Sequence, residues 1–192
     1  NSAVKHTVLL EEGVILNRYW DNSDEPRPES YREDVELAEK VSDKKKLYRN
    51  LRSAAESGWD FSTRWFADES KFESIATTDL IPVDLNCLLY HMETTLAILN
   101  EISGDLDKAS NYRDLAENRK EAILRYCWDE EKQFFTDYNF VENSYSPKVT
   151  LAGAFPLYFK ICSLSQALAQ SNVMIEKLLK PQGLVTTTND SG

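Results

Sequence analysis

The stretch that decides the fold is LNCLLYHMETTLAILNEISGDLDKASNYRDLAENRKEAILRY, residues 85–126. In its first half apolar residues recur at intervals of three and four, which places them on one face of an α-helix. These residues are Leu85, Leu88, Leu89, Met92, Leu96, Leu99 and Ile102. Gly104 stands where glycine commonly ends a helix, and a second amphipathic pattern begins at Leu106. The stretch therefore predicts two long helices joined by a short turn, an αα-hairpin.

Other segments predict further helices and one short hairpin. The sequences SYRE (30–33) and SLSQ (163–166) have the form of a capping box, which opens a helix, and residues 44–55 are also helical in pattern. In WDEEKQFFTDYNF (128–140) aromatic residues sit around charged and turn-forming residues, which indicates a β-hairpin. The fold class predicted is all-α, a toroid or bundle of helical hairpins whose loops carry the function.

Composition and charge exclude several classes of function. Lys and Arg total 22 against 32 Asp and Glu, a formal charge of −10, so nucleic acid and anionic membrane surfaces are repelled. No apolar run approaches the roughly 20 residues that cross a bilayer. A neutral small ligand suits this chain better.

The cysteines and histidines predict no metal and no cofactor. Cys87, Cys127 and Cys162 lack C-x-x-C spacing and lie in apolar stretches, so we expect unpaired, structural thiols. His6 and His91 have no second histidine at the spacing of a zinc site. The cysteine usage favours a reducing compartment, hence a cytoplasmic location, with the periplasm as the alternative.

The segment ESGWDFSTRW, residues 56–65, combines carboxylates, aromatic rings and a backbone breaker. Gly58 frees the backbone just before Asp60, and the rings around this carboxyl give it a low-dielectric setting. They are Trp59, Phe61 and Trp65. Such a setting raises the pKa of a carboxylic acid, which then serves as a general acid. The rings also offer flat faces to a sugar, and Arg64 and Glu56 offer hydrogen bonds.

A purely structural interpretation of the same segment stays open. In it the three rings belong to the core, Asp60 caps a helix, and Arg64 pairs with Glu56 at the surface. Two other loops have the same ambiguity. PRPES (26–30) is either a rigid support for polar side chains or a solvated loop, and WD (20–21) is favoured as a turn.

Four ordered motifs together resemble those of trehalases, the glycoside hydrolases that split α,α-trehalose into two glucose molecules. They are ESGWDFSTRW (56–65), PRPES (26–30), IPVDLN (81–86) and WDEEKQFFTDY (128–138). The resemblance implies an (α/α)6 barrel and an inverting mechanism. Asp84 and Asn86 are expected to support the pocket or to start a helix. Gln133 departs from the glycine common at this hairpin turn.

The resemblance also implies roles for single residues. Asp60 matches the general acid of the family, and Arg27, Glu29 and Gly58 match residues that contact the bound sugar. Pocket-lining residues expected by the same resemblance are Trp59, Phe61, Arg64 and Trp65. The catalytic base, a glutamate, and the second family signature are expected beyond Gly192. The ligand implied is a small disaccharide, trehalose, and the oligomeric state stays open.

Residues 1–192 are therefore expected to form a single but incomplete (α/α)6 catalytic domain, whose upstream and C-terminal parts are absent. We expect the isolated chain to be inactive because it lacks the base. Two alternatives remain: another (α/α)6 glycosidase that acts on α-glucosides, and a non-catalytic helical fragment that binds sugar or is only structural.

Overall fold

The structure, a computed structural model, describes residues 1–59 and 61–188. The helices are α1 (Tyr31–Ala38), α2 (Lys44–Ser57), α3 (Val83–Ser103), α4 (Leu106–Tyr126), α5 (Phe155–Tyr158) and α6 (Leu164–Lys177). The strands are β1 (Ser2–Val4), β2 (Thr7–Leu9), β3 (Ile15–Asn17), β4 (Leu80–Ile81), β5 (Trp128–Asp129), β6 (Phe134–Phe135), β7 (Tyr138–Asn139), β8 (Ser144–Tyr145), β9 (Leu179–Lys180) and β10 (Gly183–Leu184).

The predicted αα-hairpin is confirmed. Helix α3 ends at Ser103, and the next residue, Gly104, has a φ of 84°. Glycine adopts this left-handed backbone conformation at little energetic cost. The amide of Asp105 donates to the carbonyl of Asn100 at 2.9 Å, which closes the last turn. The Asp105 carboxylate then accepts from the Lys108 amide at 3.1 Å and caps α4. The two residues between the helices, Gly104 and Asp105, thus stop one helix and start the next.

The predicted apolar face of α3 is not the buried one. Its exposed members include Leu88, Met92, Leu99 and Ile102. The face turned toward α4 instead buries Asn86, Glu93 and Ala97. Arg119 on α4 makes this possible, because its Nε donates to both Glu93 oxygens at 3.0 and 2.9 Å and its Nη1 to Asn86 Oδ1 at 3.1 Å. Paired polar groups therefore join the two helices in addition to the apolar cluster that contains Cys87 of α3 and Ile123 of α4.

The two predicted capping boxes have different outcomes. At the start of α6 the box forms, since Ser163 Oγ accepts from the Gln166 amide and Gln166 Oε1 accepts from the Ser163 amide. Helix α1 does begin where predicted, but Ser30 makes no side-chain capping bond. A short 3-10 turn at Pro28–Ser30 leads directly into α1 and replaces the box, so that prediction was wrong.

The predicted hairpin near 128–140 is confirmed as β5 paired with β6, with Trp128 opposite Phe135. Gln133 in its turn has a φ of 52°, the left-handed region that glycine adopts most easily. Strand β7 instead pairs with β4 and β8. The sheet β1–β2–β3 was not predicted, because three-residue strands carry too little alternation to stand out.

Two large apolar clusters form the core. One joins the first sheet, α3, α4 and the hairpin, and it contains Cys87 and Cys127 as buried free thiols whose pKa values burial raises. The other joins α1, α2 and the loop around Trp65. Trp59 packs against both clusters. In residues 1–59 and 61–188 no helix is long and apolar enough to span a membrane.

The tight approach of Gly153 to the hairpin gives a test of this packing. A Cβ at Gly153 would lie 2.5 Å from Phe134 Cε1 and 2.5 Å from the Phe135 carbonyl oxygen. In the complete protein Gly153→Ala should cost about 3 kcal/mol of unfolding free energy. In the control, Gly104→Ala, the added Cβ meets no described atom within 4 Å, and the substitution should cost about 1 kcal/mol for its positive φ. Equal urea midpoints for the two variants would show that the hairpin does not pack as described.

Candidate functional site

The guanidinium of Arg64 is buried between two carboxylates. Its Nη1 and Nη2 donate to Asp84 at 3.0 and 2.7 Å, and its Nε and Nη2 donate to Asp137 at 2.7 and 2.8 Å. The Arg64 side chain is fully buried, and each carboxylate is only 2% exposed. A buried charge must be paired, and this cation is paired with two carboxylates.

The start of helix α3 stabilises the same carboxylates. The Val83 amide donates to Asp137 at 3.0 Å, and the Leu85 amide donates to Asp84 at 2.9 Å. Free amides and the helix dipole make a helix N-terminus favourable for negative charge. They compensate the second of the two negative charges, which Arg64 alone does not balance.

The pKa directions agree with this arrangement. Burial by itself would raise the pKa of Asp84, but the Arg64 charge and hydrogen bonds from Arg64, the Leu85 amide and the Trp59 side chain lower it below its usual range. Burial also opposes the charge of Arg64, yet Asp137 and Asp84 raise the pKa of the guanidinium. Asp84 and Arg64 therefore stay ionised, and their charges are held together in the cluster.

Arg64 also fixes two tryptophan rings. The guanidinium carbon lies 4.7 Å from the centre of the Trp59 ring and 4.4 Å from that of the Trp65 ring, within cation–π range. Trp65 is completely buried in the core. The first and last aromatic residues of the segment 56–65 are thus held by its own arginine.

The motif at 26–30 joins the segment 56–65 through one contact. The Arg27 guanidinium lies 4.4 Å from the centre of the Phe61 ring. Asp34, on α1, orients it by accepting from Nε at 3.0 Å and from Nη2 at 2.6 Å, and Asp34 also accepts from the Arg27 amide. Two motifs that are 30 residues apart in the sequence therefore meet side by side.

The predicted site residues differ in accessibility. Gly58 is exposed, with a φ of 71° at the end of α2, and Glu29 is exposed in the turn before α1. Trp59 and Phe61 are partly buried. Asp60, between them, lies outside the described residues. Arg27 is 8% exposed and therefore buried.

The expectation that Arg64 and Trp65 present their side chains to a sugar needs correction. Both are almost completely buried and lie behind the segment, not at its surface. The structural alternative is wrong on one point as well, because Arg64 does not pair with Glu56. Glu56 accepts instead from the Trp20 amide at 2.9 Å and contacts His6.

The turn interpretation of residues 20–21 is confirmed. The Asp21 carboxylate accepts from the Ser23 amide at 2.7 Å, which forms an Asx-turn. The Trp20 ring lies 4.3 Å from the guanidinium carbon of Arg18 and 4.6 Å from that of Arg49. These contacts occupy the ring, so Trp20 has a packing role.

Sequence reasoning missed two carboxylates. Asp137 lies in the recognised motif at 128–138 but received no role, and Asp34 was assigned only to a helix. Asp137 follows two buried aromatic residues, which was a signal, since an ionised side chain in such a run needs a partner. Nothing local identifies Arg64, 73 residues away, as that partner.

Beside the buried Arg64 the described residues enclose a small cavity. A cavity of 150 Å³ lies beside Arg64 and Trp65 and is otherwise lined by residues 66, 67, 76, 80, 139, 142 and 144–148. This is below the roughly 300–1,000 Å³ of a ligand pocket. A cavity of 460 Å³ lies elsewhere, between residues 12–15 and α4. Within the described part of the chain no cluster of His, Cys, Asp and Glu is arranged to hold a metal ion.

Comparison with known proteins gives one family. A sequence model described as Trehalase matches residues 1–192. The periplasmic trehalase of Salmonella paratyphi B is 42% identical over 190 residues, which are 98% of this chain and 33% of that protein. The periplasmic trehalase of Salmonella agona has the same identity and coverage. The chain thus spans about a third of the length of these relatives.

Solved structures show the same fold. The neutral trehalase Nth1 from Saccharomyces cerevisiae superposes with a TM-score of 0.77 at 25% identity, over 98% of this chain and 39% of that one. A mannosylglycerate hydrolase from Thermus thermophilus is similar in fold alone, with a TM-score of 0.54, 17% identity, and coverage of 90% and 36%. The predicted fold class, part of an (α/α)6 barrel with short hairpins, is confirmed.

The pair of Arg27 and Asp34 can be tested through stability. Asp34→Ala leaves a buried guanidinium without its carboxylate and should cost about 3 kcal/mol of unfolding free energy in the complete protein. The control is Glu36→Ala, which removes the exposed partner of Arg32 on the same helix and should cost less than about 0.5 kcal/mol. Urea unfolding followed by tryptophan fluorescence measures both, and similar costs would contradict the buried pairing.

Proposed function

The chain belongs to the trehalase family, and from this we propose that the complete protein hydrolyses α,α-trehalose to two glucose molecules with Asp60 as general acid. One observation supports the site most strongly. Both chain neighbours of Asp60 have an arginine over their rings, Arg64 over Trp59 and Arg27 over Phe61. The residues before and after Asp60 in the chain are therefore both fixed by arginine contacts.

The proposed chemistry is acid–base catalysis with inversion. Asp60 donates its proton to the oxygen between the two sugars as the glycosidic bond breaks, and a water attacks the anomeric carbon from the opposite face. A glutamate base outside this chain takes the proton of that water. In inverting enzymes the two carboxyl groups stand about 6.5–9.5 Å apart, which leaves room for the water. The reaction requires no metal and no cofactor.

The protein environment suits a protonated carboxyl at Asp60. The rings of Trp59 and Phe61 are partly buried and provide apolar neighbours, which disfavour the ionised form. Their cationic partners are neutralised, because Asp34 pairs with Arg27 and the two other aspartates pair with Arg64. The guanidinium groups therefore fix the rings without adding net positive charge, which would favour ionisation of Asp60.

Arg27, Glu29 and Gly58 are the proposed sugar-binding residues. Asp34 uses Nε and Nη2 of Arg27, so Nη1 is the nitrogen directed to a sugar hydroxyl. Glu29 follows two residues later and is exposed, so it accepts from a second hydroxyl. Gly58 lets the backbone approach the sugar without a side chain.

The proposed compartment is the periplasm, because the similar Salmonella proteins are named periplasmic trehalases. This replaces the cytoplasmic location that cysteine usage favours. The buried positions of Cys87 and Cys127 remove that argument, since buried free thiols are compatible with either compartment. Cell fractionation of the expressed complete protein distinguishes the two.

Two alternatives are tested by the same assay. Glucose release from trehalose and from maltose separates a trehalase from another α-glucosidase with this fold. The isolated 192 residues should release no glucose, because the base is supplied by other parts of the protein. Preference of the complete protein for maltose would support the broader glycosidase, and no release from either would support a non-catalytic scaffold.

The role of Asp60 is tested by removing its proton while keeping its shape. Asp60→Asn in the complete protein should lower kcat for trehalose by about 10²- to 10⁴-fold, the usual contribution of a general acid, with trehalose binding retained. Asp107→Asn, an exposed aspartate on α4, serves as the charge control and should leave kcat unchanged. Near-normal turnover by Asp60→Asn would refute the assignment.

Gly58 can be tested against a second glycine of the same conformation. Gly58 and Gly104 both end a helix at positive φ, and an added Cβ meets no described atom within 4 Å at either. Substitution to alanine should therefore cost about 1 kcal/mol of stability at both sites. Only Gly58→Ala should raise KM for trehalose, measured by glucose release. Equal KM values for the two variants would exclude Gly58 from the sugar site.

A further inference from the structure

Three separate segments converge on Arg64. They are the loop that carries Asp60, the first turn of α3 through Asp84, and the connection between β6 and β7 through Asp137. Four hydrogen bonds of 2.7–3.0 Å join them, and no part of the arginine side chain reaches solvent. The residues are 20 and 73 positions apart in the sequence, so the cluster fixes the loop to distant parts of the fold.

Stability alone is a weak explanation for such a cluster. Burying three charges carries a large desolvation cost, and well-packed apolar residues of similar volume often stabilise a protein as much. Ion pairs with several hydrogen bonds fix the orientation of the side chains that form them, which apolar packing does less strictly. Both carboxylates accept two hydrogen bonds each from the planar fork of Arg64, which allows little rotation.

Arginine side chains also contact the two chain neighbours of Asp60. The Arg64 guanidinium carbon lies 4.7 Å from the centre of the Trp59 ring and so holds it in place. On the other side Arg27 holds the Phe61 ring at 4.4 Å. The residues on either side of Asp60 in the chain are thus both held by arginine side chains. A shift of about 1 Å in a catalytic group commonly costs about 10²-fold in rate.

We propose that Arg64, with Asp84 and Asp137, is a positioning cluster that aims the acid of this loop at the glycosidic oxygen. Asp137 and Arg64 are thus positioning residues for proton donation, although neither reaches the substrate. The proposal rests on the function proposed above. A positioning role and a purely structural role predict different results. If the cluster positions the acid, its loss should impair proton donation to the glycosidic oxygen and leave steps that need no proton unaffected.

A pair of substrates separates these roles. Trehalose needs a proton on its leaving oxygen. In α-glucosyl fluoride the C–F bond breaks to release fluoride ion without protonation, while a water attacks and gives its proton to the base. The ratio of the two kcat values is independent of the amount of folded enzyme, because that amount cancels. Even a poorly folding variant therefore gives a meaningful ratio.

The variants are Asp137→Asn and Arg64→Lys in the complete protein. Each should lower the ratio of trehalose to fluoride turnover by about 10-fold or more, in keeping with a misplaced acid. Arg119→Lys is the matched control, because it weakens another buried arginine–carboxylate pair, with Glu93, elsewhere in the fold. It should leave the ratio unchanged whatever its effect on stability.

The outcomes distinguish this proposal from the function on which it rests. Asp60→Asn should lower the ratio most, and if it does not, the general acid itself is wrongly assigned. If Asp60→Asn lowers the ratio but Asp137→Asn and Arg64→Lys lower both rates equally, the cluster is only structural and the positioning role is refuted. A ratio that falls equally in Arg119→Lys also refutes it.

Discussion

The charge of Arg64 is the constraint on which the rest of this structure depends. A guanidinium removed from water must be met by carboxylates, and the structure provides two, from α3 and from the connection after β6. The start of α3 supplies amides that compensate the excess negative charge. The Arg64 side chain therefore connects the start of α3 and the segment after the β5–β6 hairpin to the loop 58–65.

Sequence patterns predicted those elements that depend on local interactions. The αα-hairpin followed from apolar spacing and from Gly104, and the β5–β6 hairpin from aromatic residues placed around charged and turn-forming residues. Local patterns were wrong where a distant partner changes the balance. Apolar spacing selected the exposed face of α3, because it could not show that Arg119 would pair with Glu93 and make a polar face the buried one. Ser30 has the form of a cap, yet the turn at Pro28–Ser30 enters the helix without it.

The sequence also predicted only part of the candidate site. The motifs identified the segment 56–65 and the neighbouring 26–30, and the structure brings them together through Arg27 and Phe61. The motifs did not show which side chains are accessible to a substrate and which are buried beneath the segment. Arg64 and Trp65 have the residue types of a sugar pocket, but their burial assigns them to the support. That distinction depends on Asp84 and Asp137, which lie far along the chain.

Amide hydrogen exchange in the complete protein tests most directly whether Arg64 joins these segments into one unit. In Asp137→Asn, peptides covering residues 59–65, 83–87 and 134–138 should lose protection together, because all three depend on the same ion cluster. Peptides from residues 106–115, which lie outside it, should keep their protection. Loss confined to residues 134–138 would contradict the account, since the loop and α3 would then be held in place without Arg64.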